Sequence, residues 1–207
     1  YKRFDAIESF AADVSHEIKN PLTSLRSAVE ALDLARNESQ REQLLGIIRD
    51  DVGRIDRLLS DIADASRLDA ELSRSQMAPV DLRRLLGAIV EVDEATGQTG
   101  ETSFDLTVSD DGPFLTLGIE DRLGQVMRNL IDNARSFSPH GSVISLALRR
   151  SDNAIEIVCD DSGPGFADEQ KDRVFERFYT RRPDGEAFGT HSGLGLSISR
   201  QIIEAHR

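Results

Sequence analysis

"LLGIIRDDVGRIDRLLSDI", residues 44–62, decides how the first half of the chain folds. Its Leu45, Ile48, Val52, Ile55, Leu59 and Ile62 step by three and four without error. A helix turns about 100° per residue, so this spacing draws one narrow apolar line along it. Such a line is the seam of a helix packed against other helices at coiled-coil geometry. Upstream, Phe4, Ile7, Ala11, Val14, Ile18, Leu25 and Leu32 keep the same steps or whole heptads. "RNESQRE", residues 36–42, is the polar break between the two runs, with Asn37 and Ser39 as turn and cap candidates. A helical hairpin over residues 4–72 follows. Two helices with one narrow seam each bury little alone, which predicts a homodimer of hairpins forming a four-helix bundle.

After "ELSRSQMAPVDL", residues 71–82, the period changes. "TSFDLTV" (102–108), "PFLTLGI" (113–119), "SVISLALRR" (142–150) and "NAIEIVCDD" (153–161) read as strands. Helical stretches lie between and after them at 81–95, 120–136 and 193–205. Strands with helices on one face predict an α/β sandwich, with a boundary near Pro79 and domains at 1–73 and 74–207. The polar, glycine-rich stretch 180–192 has no period and reads as a loop.

Composition narrows the partners. A net charge of −12 argues against nucleic acid or an anionic membrane surface as the main one. The single Cys159 excludes an internal disulfide. No apolar run approaches the roughly 18 residues that a spanning helix needs, and no signal peptide is visible. "YKRFDAIESF" begins inside a helical pattern and "ISRQIIEAHR" stops without a closing turn, so both ends read as cut from something larger.

Within the first helix His16 falls outside the seam. With Phe4, Ala11, Ile18 and Leu25 at heptad position a, His16 takes the exposed f position and Glu17 the adjacent g. Pro21 removes the amide that would bond the Glu17 carbonyl, so a bend is expected there. An exposed imidazole beside a carboxylate, on a turn that flexes, suits a nucleophile or base presented to a large visitor.

"SHEIKNPLT", residues 15–23, resembles the phospho-acceptor box of sensor histidine kinases. The other boxes of that family follow in order. "RLGQVMRNLIDNA" (122–134) resembles its asparagine box and "DDSGPGF" (160–166) its first glycine box. "VFERFY" (174–179) resembles its phenylalanine box, and "HSGLGLS" (191–197) its second glycine box. Five ordered boxes behind a heptad hairpin are far more specific than a lone Asp-x-Gly-x-Gly.

The resemblance implies an ATP-binding sandwich of the type shared by gyrase, chaperone and histidine kinase ATPases, behind the hairpin. It makes His16 the phosphate acceptor, Glu17 its proton partner, and Asn20 the residue that orients water for removing phosphate from a receiver. Asn133 would ligate Mg²⁺, with Asn129 supporting the ion or the phosphates, and Asp161 would accept from the adenine amino group. Gly163 and Gly165 would let backbone approach the ring. Gly193, Leu194 and Gly195 open the last helix, whose free amides suit phosphate oxygens. Residues between Phe166 and Gly193 would form a lid, with Arg177 and Tyr179 at its centre and Phe175 and Phe178 as anchors. Implied partners are the aspartate of a response regulator receiver domain and a second copy of the chain. The implied location is the cytoplasmic portion of an inner-membrane sensor.

There are departures. Where many members carry a lysine or arginine three residues after the second asparagine, this chain has Ser136, with Arg135 about 100° round the helix, so that phosphate contact is not carried over. His191 stands where the second glycine box often begins with glycine, and the third glycine box and closing strands do not follow before Arg207. Two other readings compete: an ATPase of the gyrase, chaperone or mismatch-repair type, and a non-catalytic dimeric signalling scaffold whose kinase site has decayed. The first generally has an acidic residue where Asn129 and Asn133 stand, and lacks the upstream histidine hairpin.

Overall fold

The computed structural model describes residues 2–95, 102–152, 154–179 and 193–206. They divide into two compact units, Tyr1–Arg67 with Glu176–Leu194, and Leu68–Phe175 with Gly195–Arg207. The stretch 180–192, with His191, lies outside the described residues.

Helix α1 spans Lys2–Leu32 and α2 spans Glu38–Arg74. Asn37 caps α2: its Oδ1 accepts from the Gln40 N–H at 2.9 Å, while Gln40 Oε1 accepts from the Arg36 N–H at 3.0 Å. Two amides at the helix start are met by this reciprocal pair, as in a capping box. Ser39, the other cap candidate, lies inside the first turn. α1 continues through Pro21, whose ring is under 2% exposed. Pro21 and Ala28 share heptad position d, and both are buried. The ring therefore fills the seam, between hydroxyl back-bonds from Ser15 to the Ala11 carbonyl (2.7 Å) and from Thr23 to the Lys19 carbonyl (2.8 Å).

The seam expected on α2 divides. Ile48, Ile55 and Ile62 are half-buried, but Leu45, Val52 and Leu59, seven residues apart, are 36%, 52% and 53% exposed. Among the described residues, the buried positions on α2 are Asp51, Arg54, Leu58 and, further along, Leu68. A helix in a four-helix bundle faces two neighbours, and α1 supplies one.

In the second unit, β1 (Ala78–Asp81) pairs antiparallel with β3 (Leu115–Gly118). β2 (Thr102–Val108) runs parallel to β4 (Ser142–Ser151), which pairs antiparallel with β5 (Ala154–Asp160). β1 was read as a boundary near Pro79. It is a strand with one partner, where a missing amide is tolerated. Helices α3 (Leu82–Ala95), α4 (Glu120–Phe137) and α5 (Gly195–Ala205) complete the unit. Ile144, Leu146 and Leu148 point inward at a period of two, against Leu123, Met127, Ile131 and Ala134 of α4 at steps of four, four and three. Burying each large side chain contributes about 1.5–3 kcal/mol. This packing turns the alternate residues of α4, Asn129 and Asn133 among them, off the core.

One further contact fixes α5. His206 Nε2 accepts the Ile119 N–H at 3.0 Å while its Nδ1 lies 2.8 Å from the Ile202 carbonyl, a pattern met by neutral imidazole with its proton on Nδ1. Gly118 makes room for the ring, since a Cβ there would lie 2.9 Å from it.

Candidate functional site

The candidates of the acceptor box sit on α1, in two settings. His16 and Asn20 are exposed. Glu17 is drawn inward: its side chain is 21% exposed, and Oε2 accepts from Arg54 Nη2 of α2 at 3.0 Å. The Arg54 side chain is 5% exposed. Sequence reasoning missed Arg54 by following only the apolar residues. The signal was available, because Asp51, Arg54 and Leu58 keep the three-and-four step with charged residues.

In the second unit the candidates come from α4, the end of β5 and the start of α5. Asn129 Nδ2 donates to the Gly195 carbonyl at 3.1 Å and lies 3.2 Å from Ser199 Oγ, which itself donates to the Gly195 carbonyl at 2.8 Å. Asn129 thus pins the first turn of α5 to α4, and Ser199, buried one turn after Gly195, is a partner the sequence reading did not name. Asn133, one turn further along α4, is half-buried and has no side-chain hydrogen bond among the described residues. Its amide oxygen is a neutral, hard donor of the kind Mg²⁺ accepts. No cluster of three His, Cys, Asp or Glu able to hold a metal occurs among the described residues.

Asp161 follows β5 directly, and its Oδ1 accepts from the Gly163 N–H at 2.7 Å. Gly163 lies tight on α4: a Cβ there would meet Asp161 Oδ1 at 2.7 Å and the Phe137 carbonyl at 2.8 Å. Only hydrogen fits, which brings this backbone against the helix carrying both asparagines. Gly165 has φ 68 and Gly193 φ 71, left-handed values that suit glycine. Arg135 is committed elsewhere, paired with Asp93 and 3.5 Å from Asp132, with its guanidinium 5.8 Å from the Phe104 ring centroid. Burial and the nearby Asp161 and Asp160 push the Cys159 thiol up to about 11, so it is no nucleophile at neutral pH.

Arg177, Tyr179, Gly193 and Leu194 fall in the same compact unit as the hairpin. There the Phe178 N–H donates to the Gly193 carbonyl at 2.9 Å and the Tyr179 N–H to the Glu176 carbonyl at 3.4 Å. Arg177 is exposed and Leu194 fully buried. Phe175, expected as an anchor, is 38% exposed with the Arg200 guanidinium 5.7 Å from its ring centroid, while its neighbour Val174 is buried.

Fold and geometry together define a class: a helical hairpin displaying a histidine, followed by an α/β unit in which glycine backbone closes on an asparagine helix. Comparison with known proteins gives a match to each of the two parts. The family model described as "His Kinase A (phospho-acceptor) domain" matches residues 6–71. The one described as "Histidine kinase-, DNA gyrase B-, and HSP90-like ATPase" matches residues 118–207. The chain is 55% identical over its full length to the sensor protein ChvG of Rhizobium meliloti, and 51% identical to that of Agrobacterium fabrum. It spans 37% and 36% of the length of those relatives. Among solved structures, the mycobacterial sensor histidine kinase MprB is 30% identical, with a TM-score of 0.53 over 63% of this chain and 80% of that one. The histidine kinase ThkA, solved in complex with the response regulator protein TrrA, shares the fold at a TM-score of 0.76 over 99% of this chain and 57% of that one, at 22% identity. The chain belongs to the sensor histidine kinase family.

Proposed function

We propose that the chain is an autophosphorylating histidine kinase core that uses ATP, phosphorylates His16 and passes the group to an aspartate of a receiver domain. The observation that carries this reading is the exposed imidazole of His16 beside a carboxylate, in a chain whose second unit belongs to an ATPase family. His16 Nε2 attacks the γ-phosphorus of ATP as the bond from that phosphorus to the bridging oxygen breaks and ADP leaves. The Nδ1 proton of the charged ring passes to Glu17, leaving a phosphoramidate whose ring is neutral and whose phosphoryl group is anionic. Mg²⁺ bound with the nucleotide supplies charge neutralisation on the phosphates, and Asn133 is the residue that would hold it. Asp161 reads the adenine amino group, Gly163 and Gly165 bring backbone to the ring, and Gly193, Leu194 and Gly195 offer amides to the phosphates. Arg177 and Tyr179 belong to the segment that closes over the nucleotide. Asn129 acts on the phosphates through the start of α5, which it pins.

The same exposed surface of α1 receives the receiver domain, and Asn20 orients the water that removes phosphate from the receiver. The uncovered Leu45, Val52 and Leu59 are the half of the α2 seam that a second copy covers. No helix among the described residues is long and apolar enough to cross a membrane, and we place this chain in the cytoplasmic portion of an inner-membrane sensor. His16→Gln in the intact protein abolishes acid-labile, alkali-stable labelling from ATP carrying a radioactive γ-phosphate. Label that persists in that variant rejects His16 as the acceptor.

A further inference from the structure

The carboxylate beside His16 is held across the hairpin. Glu17 Oε2 accepts from Arg54 Nη2 at 3.0 Å, and the cation that holds it is almost fully buried. One turn earlier on α2 stands a second carboxylate, Asp51, 6% exposed, whose Oδ2 is buried with no hydrogen-bond partner among the described residues. Residues three apart on a helix share a face, so Asp51 lies within the sweep of the Arg54 side chain. A buried carboxylate oxygen without a donor is costly, and the guanidinium has more than one donor to offer.

The two carboxylates differ in what they lose without the cation. Glu17 lies closer to solvent, and water satisfies it once released. Asp51 is too deep for that. Moving the guanidinium from Glu17 to Asp51 therefore exchanges a part-buried ion pair for a buried one and leaves a hydrated carboxylate next to His16. Such an exchange between two partners is a two-state element of the kind that switches are built on.

We propose that Arg54 is a positioning residue that passes between Glu17 and Asp51, and so sets whether Glu17 is free to take the proton from His16. This rests on the phosphotransfer reading above. On Glu17 the guanidinium withholds the base, and on Asp51 it releases it. Whatever rotates or slides α2 against α1 then changes the rate of phosphotransfer without touching the nucleotide.

The test uses the intact protein. Asp51→Asn removes the second carboxylate and keeps its shape, so Arg54 stays on Glu17: labelling at saturating ATP slows by roughly tenfold with KM for ATP unchanged. Adding Arg54→Met to Asp51→Asn frees Glu17 and removes both buried charges, and labelling returns to at least the starting rate. A merely structural role for the pair predicts no such recovery. With ¹⁵N-labelled arginine, the Arg54 guanidinium signals show exchange between two environments in the unmodified protein and collapse to one in Asp51→Asn. An Asp51→Asn variant as fast as the unmodified protein, a double variant as slow as the single, or one environment in both spectra overturns the proposal. Absence of label in the unmodified protein strikes the phosphotransfer reading instead, and the guanidinium spectra still decide whether Arg54 moves.

Discussion

Asn20 stands one turn beyond His16 on the same exposed side of α1, with nothing in the fold asking for an amide there. If it orients water for dephosphorylation of the receiver, Asn20→Ala leaves labelling of His16 intact and slows loss of phosphate from the receiver. Equal decay with both proteins removes Asn20 from the mechanism. Gly163 is the opposite case, a residue whose value is what it lacks. A methyl at that place meets the Phe137 carbonyl at 2.8 Å and the Asp161 carboxylate at 2.7 Å. Backbone must shift to admit it, at a cost of about 1–3 kcal/mol. Gly163→Ala is expected to lower the melting temperature and weaken binding of a non-hydrolysable ATP analogue by calorimetry, because the shift moves Asp161 as well.

At the scale of elements, α2 belongs to both units, which divide it between Arg67 and Leu68. Its last turns are tied to α4 by the pair of Glu71 with Arg122, which also donates to Gln125 at 2.7 Å. The bond from Arg122 holds the Glu71 carboxyl below its ordinary value of 4.5. A carboxyl lowered in the folded state contributes stability above its unfolded value and loses it as pH falls through the folded one. Glu71→Gln should therefore melt at a lower temperature than the unmodified protein at neutral pH. The gap should close on acidification as pH falls through the lowered folded value, where the carboxyl becomes neutral too. A gap that does not change with pH would show that the ion pair contributes nothing. The asparagine pair on α4 divides its work in the same way: Asn129 turns its amide nitrogen to α5, while the Asn133 side chain has no hydrogen bond among the described residues.

At the scale of the whole molecule, the uncovered stripe of α2 carries the argument for two copies. Val52 and Leu59 are about half exposed within one chain. Replacing both with aspartate should leave the helix content measured by circular dichroism unchanged and halve the mass seen by sedimentation. A dimer that survives both charges would place the interface elsewhere. Much of this architecture was legible in advance, because helical and strand periods are local properties of the backbone. β2 lies at residues 102–108 as read, and β4, β5, α3 and α4 end within a residue or two of their expected limits. β1 was not legible: four residues with a proline carry no period, and only the pairing of Ala78–Asp81 with β3 makes them a strand.

The candidate site shows the same division. Residue types at fixed spacing marked His16, Asn129, Asn133, Asp161 and Gly163, since the order of the boxes carries that information along the chain. Arg54 and Glu17 are 37 residues apart, and no local pattern joins them. The sequence alone determined which stretches are helices and strands and where the chemical groups lie along them, because those depend on neighbours within a turn or two. Only the tertiary structure decided that Glu17 is held by a buried guanidinium, that Asp51 Oδ2 has no donor, and that Asn129 spends its amide on α5. Each of these depends on how one helix is set against another, a matter of packing between distant segments that sequence spacing does not encode.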